Sequence, residues 1–187
     1  MEKEFTLSIF TENKIGLLQR LSTIFTKRKI NLDSFNASES EVKDVFRFTI
    51  VINTTEDQVR KVTKQIEKQI GVLKAFFHEE HEIVHQEIAL YKVPTQAMAH
   101  GSDVEKIIRK YNAHILTVEP EYIILEKSGH QEETQELFEK LLPFGILQFV
   151  RSGRVAVTKQ IKEITSYLKD LEEASKHSEK ELLLLNL

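Results

Sequence analysis

Phe5-Thr6-Leu7-Ser8-Ile9-Phe10-Thr11-Glu12-Asn13-Lys14-Ile15-Gly16-Leu17-Leu18 changes its hydrophobic period in mid-course, and that change decides the fold. Phe5, Leu7 and Ile9 alternate with Thr6 and Ser8, the pattern of a strand with one buried face. Beyond the turn Asn13-Lys14-Ile15-Gly16 the spacing lengthens. Leu17, Leu18, Leu21, Ile24 and Phe25 recur as on one side of a helix, predicted from Gly16 to Arg28. Lys27, Arg28 and Lys29 end it with positive charge, which suits the negative end of a helix dipole.

Outward from this stretch, a second strand is expected at Asn31–Ala37, and the polar Ser38–Lys43 segment turns the chain into a third. That strand carries Phe46, Phe48, Ile50 and Ile52 on one side. Val59, Val62, Ile66 and Ile70 mark a second helix, opened by Thr54 or Thr55 as cap with Glu56 and Asp57 in its first turn. Gly71 ends it before a strand at Val72–Phe77, giving the order βαββαβ. The pattern then repeats. A strand at Ile83–Val93 stops at Pro94, and Val104, Ile107, Ile108 and Tyr111 read as a helix. Strands follow near Ile115–Val118 and Tyr122–Glu126. After Gly129 comes a helix with Leu137, Leu141 and Leu142, then strands at Leu147–Val150 and Val155–Val157. Gly71-Val72-Leu73-Lys74-Ala75-Phe76 is echoed by Gly145-Ile146-Leu147-Gln148-Phe149-Val150, as two similar folds in tandem would require. The charged His78–Glu82 segment is the expected boundary. The division is therefore residues 4–78, residues 83–158 and a tail at 159–187, where Ile161, Ile164, Leu168 and Leu171 fall at helical spacing. The fold class is α+β.

The composition excludes several chemistries. With no cysteine there is no disulfide, thiolate nucleophile or cysteine zinc site. Neither G-x-G-x-x-G nor G-x-x-x-x-G-K-[ST] occurs, so a glycine-rich phosphate loop is set aside. A formal net charge of −3 gives no reason to expect nucleic acid or an anionic membrane as partner. No apolar run is long enough for a membrane span, and the N-terminus lacks a signal-peptide layout, so the expected location is cytoplasmic.

His81-Glu82-Ile83-Val84-His85 fits the H-E-x-x-H pattern of zinc proteases, in which two histidines one helical turn apart share a metal. Here it runs into a strand-like segment, where residues four apart are separated by about 13 Å, too far to share one ion. His78, His81 and His85 are read as solvated linker residues, and no catalytic or metal site is expected. The turn before the first helix differs. Unpaired N–H groups at a helix opening suit a carboxylate, Gly16 allows close approach, and Asn13 can both donate and accept. On these residues alone capping is the simpler account, with Asn13 as cap and Gly16 relieving the turn.

The run Phe5–Leu18, continuing through Leu21, Phe25, Arg28, Asn31, Leu32 and Ser34, resembles an ACT domain. In detail it resembles the one that opens the small, regulatory subunit of acetolactate (acetohydroxyacid) synthase. Ile66-Glu67-Lys68-Gln69, Val72-Leu73, Glu87-Ile88-Ala89-Leu90-Tyr91-Lys92-Val93 and Val150-Arg151-Ser152-Gly153 extend the resemblance over about residues 4–158. It implies two ferredoxin-like domains, a homodimer through the ACT domains, and feedback inhibition by a branched-chain amino acid, usually valine. Asn13 and the amides of Gly16, Leu17 and Leu18 would hold its charged groups, with Asn31 and Leu32 of the opposing subunit closing the site. The second domain would activate a catalytic large subunit that carries thiamine diphosphate, magnesium and FAD; this chain would hold no cofactor and catalyse nothing. A free-standing ACT-domain sensor acting on another enzyme or on gene expression is the alternative. Ile15 stands where related ACT domains often have proline, and Lys29 where this family often has glycine.

Overall fold

In a computed structural model, residues 1–99 and 103–160 are described. The element order is β1 (Lys3–Glu12), α1 (Leu17–Lys27), β2 (Ser34–Glu39), β3 (Val45–Thr54), α2 (Glu56–Glu67), β4 (Val72–His78), β5 (Ile83–Pro94), α3 (Gln96–Ala99), α4 (Asp103–Lys110), β6 (His114–Val118), β7 (Tyr122–Gly129), α5 (Gln131–Leu141), β8 (Gln148–Arg151) and β9 (Val155–Thr158). From residue 161 onward, the tail read from the sequence lies outside the described residues.

The chain divides into two units. One is Met1–Val84 together with the segment that begins at Ala156; the other is His85–Val155. In the first, antiparallel strands lie in the order β2-β3-β1-β4. In the second the order is β6-β7-β5-β8, with β9 also paired to β5. Outermost-to-outermost, the two orders are the same once β5 is matched to β1. Each unit is thus a ferredoxin-like βαββαβ fold, and the echo between Gly71–Phe76 and Gly145–Val150 marks equivalent edges.

The periodicity of each element explains its seat. Leu21, Ile24 and Phe25 of α1 are buried with Val59, Val62 and Ile66 of α2 against Phe5, Leu7, Ile9, Ile50 and Ile52. The second core joins Tyr91, Val93, Val104, Ile123, Leu125, Leu137 and Leu141. Truncating any of these central leucines or isoleucines to alanine would cost about 2–5 kcal/mol.

Four expectations are corrected. β1 is buried on both faces, because Thr6, Ser8 and Phe10 are covered as well as Phe5, Leu7 and Ile9. β2 begins at Ser34, which leaves Asn31 and Leu32 in the turn that precedes it. Ile70 does not belong to the buried stripe of α2: the helix ends at Glu67 and Ile70 is 81% exposed. His85 is buried rather than solvated, since it occupies the inward phase of β5 together with Ile83, Glu87, Ala89, Tyr91 and Val93. The short α3 after Pro94 has no apolar period and was not expected.

Candidate functional site

β1 delivers Glu12 and Asn13 to the opening of α1. The Asn13 amide donates to the Asp44 carbonyl (3.1 Å) and the Lys14 amide to the Glu12 carbonyl (3.0 Å). Lys14 Nζ lies 2.6 Å from the Glu12 carboxylate, so the acid nearest the helix opening is neutralised by its own neighbour. Gly16 is the N-cap residue at φ 85°, a left-handed conformation that a side chain would strain, and a Cβ there would meet nothing within 4 Å. The capping reading of Asn13 is thereby set aside: Gly16 holds that position and no side chain caps α1.

The result is an open helix terminus. The Leu17 amide reaches the Lys14 carbonyl only at 3.5 Å, and intrahelical bonding begins with Arg20 to Gly16 at 3.1 Å. Among the described residues no backbone acceptor faces the amides of Leu18 and Gln19. No acid stands in the first turn. Such donors, with the positive end of the dipole behind them, favour an anion.

The turn before β4 is fastened against this opening. The Glu12 amide donates to the Gly71 carbonyl (2.9 Å), Arg20 Nη1 donates to the Ile70 carbonyl (3.0 Å), and a Cβ on Gly71 would stand 3.2 Å from Leu17 Cδ1. Leu17 itself is buried, while Ile15, Leu18 and Ile70 are exposed apolar side chains. Polar donors and apolar surface therefore meet in one place.

Asn31 and Leu32 lie at the far end of α1. That end is closed by the Ile30 amide on the Phe25 carbonyl (3.0 Å) and the Lys29 amide on the Thr26 carbonyl (3.0 Å). The 11 residues of α1 span about 16 Å. Within one chain, Asn31 is too distant to share a small ligand with Asn13.

His81 lies in a single turn of 3-10 helix at Glu80–Glu82, whereas His85 is inside β5, so the H-E-x-x-H residues are not on one helix. Among the described residues no group of three or more metal-ligating side chains comes together. No helix among them is long and apolar enough to cross a membrane. In the second unit a buried polar group was not foreseen. Glu87 lies 3.8 Å from Arg151, Arg151 donates to Gln135 (3.0 Å), and the rings of His85 and His130 meet edge to face at 4.5 Å. The signal was present in the inward phase shared by His85 and Glu87 with Ala89 and Tyr91.

These features define a two-unit, ferredoxin-like α+β protein whose first unit opens on an uncapped helix. Residues 7–74 match the model of the AHAS small subunit-like ACT domain, and residues 86–160 match that of the small subunit of acetolactate synthase. The acetolactate synthase small subunit of Mycolicibacterium smegmatis is 34% identical over 154 residues, covering 82% of this chain and 90% of its own. That of Bacillus subtilis is 32% identical over 167 residues, covering 89% and 95%. The crystal structure of the acetolactate synthase small subunit from Thermotoga maritima superposes with a TM-score of 0.77 over 86% of this chain and 99% of its own. At 22% identity it supports the fold. The chain belongs to the acetolactate synthase small-subunit family.

Proposed function

We propose that this chain is the non-catalytic regulatory subunit of a cytoplasmic acetolactate synthase, activating a catalytic large subunit and conferring feedback inhibition by valine or another branched-chain amino acid. The observation that carries the reading is the open terminus of α1. The effector's carboxylate meets the amides of Gly16, Leu17 and Leu18, and Asn13 supplies a group able to hold carboxylate or ammonium. The distance along α1 supports a shared pocket, with Asn31 and Leu32 provided by the second copy of a homodimer. A branched apolar side chain suits this place because Leu18 and Ile70 leave apolar surface beside the amides. Thiamine diphosphate, magnesium and FAD belong to the catalytic partner, and this chain carries out no chemistry. Feedback then operates by differential affinity of the effector for two states of the complex.

The test is to mix the chain with the catalytic subunit of a related acetolactate synthase and measure activity with and without valine, isoleucine and leucine. Activation by the chain, reversed by one of the three, is expected. No association and no change in activity would sink the proposal.

A further inference from the structure

An amino acid brings two opposite charges to any site that holds it. The open terminus of α1 answers the carboxylate alone, because amide donors with the positive end of a dipole behind them disfavour an ammonium group. No acid stands in the first turn of α1 to receive one. Asn13 is neutral and can hydrogen-bond an ammonium, a hydroxyl or a carbonyl group alike. With those groups alone the site would take a hydroxy acid or an oxo acid as readily as the amino acid of the same side chain.

The carboxylate of Glu12 stands beside this opening, on the residue before Asn13, and its side chain is 13% exposed. Gly71 leaves room for it. A Cβ on Gly71 would stand 3.5 Å from Glu12 Oε2 and 3.2 Å from Leu17 Cδ1, so the carboxylate and the first side chain of α1 border the same point. The Glu12 amide, bonded to the Gly71 carbonyl, holds the end of β1 against that turn. The carboxylate already carries an ammonium group, Lys14 Nζ at 2.6 Å. Lys14 is the more exposed partner, at 39%, and its flexible stem can turn into water without moving the backbone. A mostly buried carboxylate favours a cation beside it, whichever molecule supplies that cation.

We propose that Glu12 recognises the ammonium group of the effector, and that Lys14 Nζ holds that place until the effector arrives. The assignment rests on the reading of this chain as an amino-acid sensor, and it leaves Asn13 to the effector's carboxylate. Binding exchanges one ion pair for another: the effector's ammonium moves onto Glu12 while Lys14 turns out to solvent. Glu12 thereby makes the sensor answer to an amino acid and reject the oxo acid of the same side chain, whose carbonyl would face the carboxylate as a second acceptor. Lys14 lowers the affinity by competition, about 2–5-fold for an ion pair partly open to water.

Titration calorimetry of the full chain compares valine with the hydroxy acid that carries a hydroxyl in place of valine's ammonium. If isoleucine or leucine binds the unaltered chain more tightly, that amino acid and its hydroxy acid are used instead. Glu12→Gln keeps the shape of the side chain and removes its charge. It is expected to weaken the amino acid roughly tenfold or more, as loss of a charged hydrogen bond requires, and not to weaken the hydroxy acid. Lys14→Met is expected to tighten the amino acid about 2–5-fold. Equal weakening of both ligands by Glu12→Gln overturns the proposal, by making Glu12 a structural partner of the turn. Amino-acid binding unchanged in Glu12→Gln also overturns it. So does weaker or unchanged binding in Lys14→Met, and this variant decides alone if Glu12→Gln does not fold. Failure of all three branched-chain amino acids to bind the unaltered chain would remove the sensor reading as well, whereas the other outcomes remove only the role of Glu12.

Discussion

The openings of α1 and α2 lie in the same unit and are finished in opposite ways. At α2 the Thr55 hydroxyl accepts from the Gln58 amide (3.4 Å), and Glu56 and Asp57 in the first turn complement the dipole. Each of these acids also meets a base one turn on, Glu56 with Arg60 and Asp57 with Lys61. In the second unit α5 is closed similarly, its His130 amide donating to the Glu133 carboxylate at 2.8 Å in a capping box. α1 has none of this: a left-handed glycine at the cap, no acid in the first turn, and no side-chain bond. Omitting a cap costs about 1 kcal/mol. Burial of Leu17, Leu21, Ile24 and Phe25 offsets that cost several times over, at about 1.5–3 kcal/mol for each large side chain. A helix held by its packed face can leave its donors open, and the contrast separates termini completed by caps and charges from one whose donors stay unpaired by side chains.

The largest test of this contrast is Asn13→Ala. If Asn13 grips a charged ligand, its removal weakens effector binding by about 1.5–3 kcal/mol, or roughly 10–100-fold. Its side chain is exposed and does not cap the helix, so the urea midpoint of the unliganded chain should stay nearly fixed. Titration calorimetry with valine and a denaturation curve check the two halves. Lost stability with unchanged binding would make α1 an ordinary helix with an unusual cap.

Next in size is Tyr91→Phe, which probes a closed opening. Tyr91 Oη donates to the Thr134 carbonyl in the first turns of α5 (2.7 Å), and its loss should cost about 1–1.5 kcal/mol at pH 7. Burial pushes the Tyr91 phenol up to about 12, against the nearby Arg151 guanidinium. The raised folded value means that this stabilisation is complete below the unfolded value of about 10 and is lost as pH rises toward 12. The deficit of the variant should therefore shrink between pH 9 and pH 11 in urea denaturation. A deficit unchanged across that range would contradict the assignment.

Much of this was readable before any coordinates. The strand-to-helix change of period at Asn13–Gly16 placed the first turn, and βαββαβ followed from alternation and caps alone. What periodicity could not show was what covers a strand's second face. Thr6 and Ser8 look solvated because their neighbours in sequence are apolar, yet both are buried, and nothing in their spacing shows it. His85 was misplaced for a related reason: charge pattern made it a linker residue, whereas strand phase put it inside. At the candidate site the residue types were legible, but the identity of the cap was not. Gly16 takes that role through a positive φ, which sequence does not display.

A smaller effect is expected from Thr55→Ala, which opens α2 as α1 is opened. It should lower stability by about 1 kcal/mol and leave effector affinity unchanged, checked by the same denaturation and calorimetry. A change in affinity would mean that the two helix openings are not independent.

The smallest effect concerns the other end of α1. Lys29 sits at φ 56° in the position where a glycine commonly completes this bonding pattern, as Asn112 does after α4 at φ 50°. A left-handed non-glycine residue costs about 1–2 kcal/mol, and glycine returns part of that through the greater freedom of the unfolded chain. Lys29→Gly should therefore stabilise the first unit by about 0.5–1 kcal/mol, read from the urea midpoint, while Lys29→Ala should not. The pair also separates strain from charge. If the lysine acts on the neighbouring Asn31 through its charge, both variants shift effector affinity alike; if it acts through the backbone, only the glycine does.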